Sequence, residues 1–439
     1  MALRPSFRHI LAGIPRSLVL SAALCGITPV AVSAQTAPAG PQAKLSSVTQ
    51  VGSHTYSSAQ VASLGGLQTG ASVDRDAIQA AANRLARSGL FSTVQFRFST
   101  DVSGLSVTFE VQDAETFPIT LDNLPWITGD DLTGILSHAG IPGTDAPASG
   151  TVDDAIAQGL QKTLQAKNIH ATVTYAVMPV PGTNDRALSF KAAGPDVRVA
   201  SLQFSDPLAA GDPAVKAQLP TIVGKPFSLM ALERFDFEQL RPAYLSHAHL
   251  HVKFSSPTIR FADASSVNVT IPIDPGPAFV WGGVVWNGNH AYTTSDLDAL
   301  VTATGLTAGQ PADGNKITAM WQRIHDAYGH RGYIDATVEP KERFDEAGRA
   351  SYQVNISEGD QYHMGNLVLT GLAVEAERSL RAAWRIPQGQ VFDQTFCDYF
   401  LSRGIAEALK GLPASQDTVG HFLEKNQQQK TVDVMIDFQ

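Results

Sequence analysis

Apolar positions along this chain switch between two periods, and the switches recur in one order about five times. In the first round Ser47 to Val51 read as a short strand closed by Gly52, and Ser57 caps a helix through Val61 and Leu64. A second helix over 73–88 places Ile78, Ala81, Ala82 and Leu85 on one face, and Gly89 ends it. The period then falls to two. Val94, Phe96 and Phe98 share one face of a strand over 93–98, Ser103-Gly104 turn the chain, and Leu105, Val107, Phe109 and Val111 alternate back. The order is strand, helix, helix, hairpin.

The same order divides the chain at 44–115, 116–195, 196–277, 278–360 and 361–439. In the second round Thr128 or Asp130 caps a helix, 152–167 forms the next, and a hairpin follows with its first strand over 171–177, which carries Val173 and Tyr175. In the third, the helix FEQLRPAYLSHA tolerates Pro242 only as a kink or near an end, and the hairpin strand falls at 250–254 with Val252 and Phe254. The fourth is the clearest: FVWGGVVWNGN, two helices ending in YGHRGY, a strand over 334–338 with Ile334 and Ala336, and YQVNISEGD. The fifth has helices around 375–384 and 393–409, and its penultimate strand is the hardest to place. Each round has about eighty residues, enough for one helix layer on one small sheet. The expected class is α+β: a tandem array of β-α-α-β-β domains, each a three-stranded mixed sheet covered by two helices.

The two ends change this picture little. Residues 1–34 read as a signal peptide, with Arg4, Arg8 and Arg16 ahead of a short apolar core at 17–27 and a small-residue cleavage site at Val32-Ser33-Ala34. A retained anchor is the alternative. Residues 35–43 are a flexible lead-in. The leader holds three arginines and no acid, so its removal makes the net charge of −9 more negative still. No Lys/Arg cluster offers a nucleic-acid surface, and no later segment is apolar enough for a transmembrane helix. Cys397 alone remains after processing, so no internal disulfide is available.

Tyr328, Gly332 and Tyr333 before the second strand, with Ile356, Glu358 and Gly359 at the end of the third, resemble the polypeptide-transport-associated domain, POTRA. The first round carries the variant Leu85, Gly89, Phe91 and Val94. The second shows Leu164 and Asn168 without the glycine, and the third has Tyr244, Ala248 and His249 at those places. Five such domains in a row resemble the periplasmic arm of the outer-membrane protein assembly factor family. No run of strands long enough for a membrane barrel follows the fifth round, so the resemblance implies the arm alone. It further implies a periplasmic location beside the outer membrane. The implied partners are outer-membrane β-barrel proteins, or a separate barrel subunit, and unfolded or extended polypeptide clients. The family uses the second strand as its exposed edge, which here implicates Val94, Phe96, Val173, Tyr175, Val252, Phe254, Ile334 and Ala336. A client adding itself as a strand would pair backbone to backbone, indifferent to side chains. Gly89, Tyr328, Gly332, Tyr333, Glu358 and Gly359 are read as structural, with the glycine allowing the helix to end in a left-handed turn.

Catalytic signals are weak. No phosphate loop, nucleophile elbow or CxxC is present. His247, His249 and His251 alternate, which on a strand would gather three imidazoles for Zn²⁺, but His247 falls at a helix end. The expectation is therefore a non-enzyme without cofactor or metal. Its alternatives are a cell-envelope spacer that grips no client and a metal-dependent hydrolase at the three histidines.

Overall fold

A computed structural model describes residues 42–194, 196–412 and 419–438. The expected leader and residues 35–41 of the lead-in lie outside them. No helix among the described residues is long and apolar enough to cross a membrane. The chain is α+β, with several small mixed sheets, each carrying helices on one face.

The first sheet contains β1 (Ala43–Val51), β2 (Ser72–Val73), β3 (Phe91–Asp101) and β4 (Gly104–Asp113), in the order β2-β1-β4-β3. The second contains β5 (Thr116–Leu121), β6 (Asp145–Pro147), β7 (Thr172–Pro179) and β8 (Arg186–Ala193), ordered β6-β5-β8-β7. The third takes β9 (Arg198–Phe204), β11 (Thr258–Asp263) and β12 (Ser266–Ile271), with a separate two-stranded pair, β10 (Lys253–Phe254) and β13 (Ile273–Asp274). The fourth is β14 (Val280–Asn287), β15 (Thr337–Phe344) and β16 (Arg349–Ser357). The fifth is β17 (His363–Thr370), β18 (Val419–Asn426) and β19 (Thr431–Phe438). In every sheet the strand from the start of the round runs parallel to the last one, and the hairpin strand pairs antiparallel to it.

The helices form where the sequence supplies caps. Ser57 makes a capping box with Gln60 ahead of α1 (Ser58–Leu64), and Asp74 caps α2 (Arg75–Ser88), which buries Ile78, Ala81, Ala82 and Leu85. Thr128, rather than Asp130, caps α3 (Gly129–His138), with Asp131 closing the box. α4 (Thr151–Ala166) completes the second layer. In the third round the helix from Leu229 to Ser246 passes through a π-helical turn at Asp236–Leu240, and Pro242 falls just beyond it. The wider turn absorbs the carbonyl that a proline leaves without its usual partner.

The first two sheets share one continuous core, running from Leu45 through Leu85, Phe109 and Ile156 to Phe190. The third, fourth and fifth each bury their own cluster, around Tyr244, Tyr328 and Phe400 respectively.

Three expectations need correction. The first two sheets have four strands, because the loop between their helices adds β2 or β6 to the outside of the first strand. In the third round the hairpin strand is β11, beyond the expected 250–254. Val252 is buried outside any strand, and Phe254 belongs to the short β10. In the fourth, the strand begins at Thr337, so Ile334 and Ala336 precede it. Both side chains pack inward, Ile334 against the fifth core and Ala336 against the fourth. In both rounds the residues just after the helix corner are spent on burial, so alternation starts later.

Candidate functional site

The two outer edges of each sheet are treated differently. On the first-strand side, the loop between the helices folds back and takes both hydrogen-bonding groups of one strand residue. Leu45 N–H donates to Ala71 O at 2.9 Å, and Leu45 O accepts from Gly70 N–H at 2.7 Å. Val199 is held in the same way by Lys225 and Gly224, Trp281 by Gln310 and Gly309, and Met364 by Gln390 and Gly389, all at 2.7–3.0 Å. On the hairpin side, β3, β7, β11, β15 and β18 each pair with one strand only, and no other described strand covers them. An unpaired row of N–H and C=O groups is a template for an incoming strand.

These five edges differ in length and chemistry. β3 is the longest, at eleven residues, with no proline; its Arg97 is engaged by Glu110 on the neighbouring strand at 2.8 Å. Val94 and Phe96 turn toward the shared core, and Phe98, 47% exposed, stacks beside Phe96 at 6.4 Å. On β7, Val173 is buried, while Tyr175 packs on Phe190 and donates its hydroxyl to Asp154 at 2.8 Å. β15 carries Pro340 and four charged residues, Glu339, Lys341, Glu342 and Arg343, in eight positions.

Beneath each edge lies the helix corner. Gly89, Asn168, Ala248 and Gly332 all take left-handed backbone, with φ of 83°, 60°, 65° and 76°. Beyond three of these corners an N–H returns to the helix carbonyl five residues back: Ile169 to Leu164 at 2.9 Å, His249 to Tyr244 at 3.1 Å, and Tyr333 to Tyr328 at 3.0 Å. The corners are also where successive domains touch. A Cβ on Gly89 would collide with Ser149 O, just ahead of α4, and one on Gly332 would stand 2.5 Å from Tyr362 O. Ala248 is buried in the fourth core, and its carbonyl accepts Phe279 N–H at 3.0 Å.

Glu358 locks the opposite corner of the fourth domain. It accepts His290 N–H at 2.7 Å, Ala291 N–H at 2.8 Å and the Tyr328 hydroxyl at 3.0 Å, and Gly359 beside it has φ 70°. Burial, with that bond to Glu358, pushes the Tyr328 phenol well above its ordinary value. Tyr333 meets Tyr328 edge-on at 6.1 Å. In the first domain Asp113 does what Glu358 does, accepting His54 and Thr55 N–H at 3.0 and 3.1 Å. Burial raises its carboxyl, but the bonds from Ser53, His54 and Thr55 outweigh it and hold the group low. Reading the motif as Glu-Gly missed Asp113; its place at the end of β4 was the available signal.

The three histidines do not assemble. His247 ends a helix and contacts Ala243 O at 2.9 Å, His249 contacts Gly276 O at 3.0 Å, and His251 packs edge-on against Phe279 and Phe344. The left-handed Ala248 reverses the chain between the first two, so they never share a strand face. Among the described residues no group of three or more histidines, cysteines or acids could hold a metal ion.

A family model named POTRA, described as a surface antigen variable number repeat, matches residues 43–114 and 279–359. Those two segments are POTRA domains. Both end with the acid that ties the helix entry, and both carry their glycine at the helix corner. A protein of Treponema pallidum (strain Nichols), provisionally named an outer membrane protein assembly factor, is 26% identical over 219 residues. The match takes in 47% of this chain and 25% of the relative, so the chain spans about a quarter of that protein's length. A crystal structure of Haemophilus influenzae BamA POTRA3-5 matches with 19% identity and a TM-score of 0.41, over 55% of this chain and 96% of the other. The N-terminal domain of Omp85 from Thermosynechococcus elongatus matches with 16% identity and a TM-score of 0.25, over 56% and 98%.

Proposed function

We propose that this chain is a non-catalytic periplasmic arm of five POTRA-like domains, bounded near 44–115, 116–195, 196–277, 278–360 and 361–439. In this reading it holds extended polypeptides during outer-membrane protein assembly or secretion, working beside a β-barrel. The observation that carries the reading is the asymmetry of the sheets: the chain covers the first-strand edge with its own loop and leaves the hairpin edge unpaired. The POTRA match and the resemblance to an assembly-factor relative support this choice of client. Backbone pairing at such an edge suits many unfolded sequences, because the contact is with groups that every residue has.

A photocrosslinking side chain at Gln95 on β3, in living cells, is expected to trap outer-membrane proteins during their export. One at Thr108, on the central strand, is expected to trap none. Equal trapping at both positions, or none at Gln95, overturns the client-holding reading. The absence of adducts at Gln95 together with intact envelope complexes would favour a spacer, which the interlocked corners also suit.

A further inference from the structure

The joint between the third and fourth sheets and the joint between the second and third use the same positions and fill them differently. Phe344 on β15 stands opposite Ala350, and Phe261 on β11 opposite Val267, each the second residue of its central strand. At the later joint three rings close on one another. His251, three residues past the left-handed Ala248, meets Phe344 at 4.4 Å and Phe279 at 5.1 Å, and the two phenylalanines meet at 4.6 Å. At the earlier joint the residue three past the left-handed Asn168 is Ala171. Val197 stands one residue ahead of β9, where Phe279 stands ahead of β14. Two of the three ring positions are therefore without a ring.

What remains at the earlier joint is an open cleft of about 770 Å³, with Trp126, Ile169, Phe261 and Ala264 in its lining. Phe261 shares a strand face with Ile259, which packs on the third core, but it lies farther along, 44% exposed, and meets Trp126 at 6.1 Å. A register shift between Phe261 and Asp263 marks a bulge at this end of the edge strand, a device that re-aims side chains. The charged groups of the lining are engaged within the chain. Lys167 donates to Asp131 and to Trp126 O, both at 2.7 Å, and Asp263 accepts from Ser265 N–H and the Ser266 hydroxyl, both at 2.7 Å. The rings are the part of the lining left open to a ligand.

We propose that this cleft receives an aromatic side chain of an extended polypeptide, in the place that His251 fills from within the chain at the next joint. The lining residues 167–170 lead into β7, and 261–264 close β11, so a strand laid on either free hairpin edge runs into the cleft. A ring there would pack against Trp126 and Phe261 in the offset or edge-on manner that aromatic pairs prefer. Backbone pairing is indifferent to sequence, so such an anchor would supply the side-chain preference. The proposal rests on the client-holding reading and adds that preference to it.

The test uses the full chain and two labelled peptides of alternating valine and threonine, one with phenylalanine at both ends and one with serine there. The phenylalanine peptide is expected to bind more tightly by about tenfold or more. Phe261→Ser removes one wall of the cleft and Ala264→Phe fills it, and each should abolish that advantage. Val285→Ser, at an exposed valine of the fourth sheet, should keep it. Far-ultraviolet circular dichroism checks that each variant folds. If both peptides bind equally, the cleft proposal falls and the free edges stand. An advantage that survives both Phe261→Ser and Ala264→Phe overturns it as well. Binding of the phenylalanine peptide alone, lost in Phe261→Ser, keeps the cleft and removes the edges. Binding of neither peptide overturns both.

Discussion

The first two sheets and the fourth are built on one plan and use it differently. The first POTRA domain shares its core with the sheet that follows, and its edge strand β3 is long, free of proline and almost uncharged. The fourth, 279–359, keeps its own core, and its edge strand β15 is interrupted by Pro340 and lined with four charges. Proline and charge on an edge are the devices by which sheets refuse neighbours. One fold can thus place an inviting edge and a guarded one in the same chain, so that topology alone does not say which edge would accept an added strand.

The contrast can be broken most severely at the corner joining the first two sheets. Gly89 has φ 83°, and its missing Cβ admits the backbone at Ser149 and Gly150. Gly89→Ala should cost about 3 kcal/mol or more, seen in denaturant unfolding, because it adds backbone strain to a collision with main chain that has no room to move. Asn168→Gly, at the matching corner of the second round, should be neutral or mildly stabilising, because it relieves a left-handed backbone at a side-chain-tolerant site. If Gly89→Ala unfolds no more easily than the native chain, the first two sheets are not one interlocked body.

Next in size is a pH effect confined to the head. Asp153, in the first turn of α4, is fully buried, and neither carboxylate oxygen has a hydrogen-bond partner. Burial, reinforced by Asp154, lifts its pKa from 3.8 to about 6. The folded state therefore binds this proton more tightly than the unfolded chain does. The penalty is full above pH about 6 and is relieved as pH falls from there toward 3.8. Asp153→Asn should raise stability at pH 7.5 by on the order of 2 kcal/mol, and the gain should shrink toward pH 4. A variant that is no more stable than the native chain at pH 7.5 contradicts this account.

A smaller effect is expected from the corner acids. Glu358→Gln keeps the shape but weakens three acceptor contacts, and should cost about 1–2 kcal/mol. Asp113→Asn, with two backbone donors, should cost somewhat less; both are read from chemical denaturation. Smallest in stability but most telling for the contrast is Pro340→Thr, which should change unfolding by less than about 1 kcal/mol. It restores a backbone N–H to β15 and should give that edge a measurable affinity for extended peptides. If it binds no better than before, charge alone guards the edge.

Much of this was legible from residue order. The α+β class, the cap at Ser57 and the buried face of α2 follow from periodicity and cap chemistry, because local propensity and tertiary burial agree there, while the next cap was legible only as Thr128 or Asp130. The starts of β11 and β15 were not legible, since alternation cannot tell a strand from a corner whose apolar residues pack into a neighbouring core, as Ile334 does. Spacing set Asn168 and Ala248 beside Gly89 and Gly332 even without the glycine, but not their left-handed backbone: asparagine tolerates that conformation locally, and Ala248 is held there by burial in the next core. The cleft at Trp126 and Phe261 was invisible for another reason. Its lining comes from residues far apart in the chain, and only the packing of one sheet against the next brings them together.

Amide hydrogen exchange of the full chain, with and without an extended peptide of alternating valine and threonine, tests the central claim most directly. The peptide should slow exchange at alternate amides of β3, whose outward N–H groups it would occupy, and leave β15 unchanged. Protection that spreads over the helices and spares β3, or that is equal on β3 and β15, would contradict the claim that unpaired, unguarded backbone is what this chain offers.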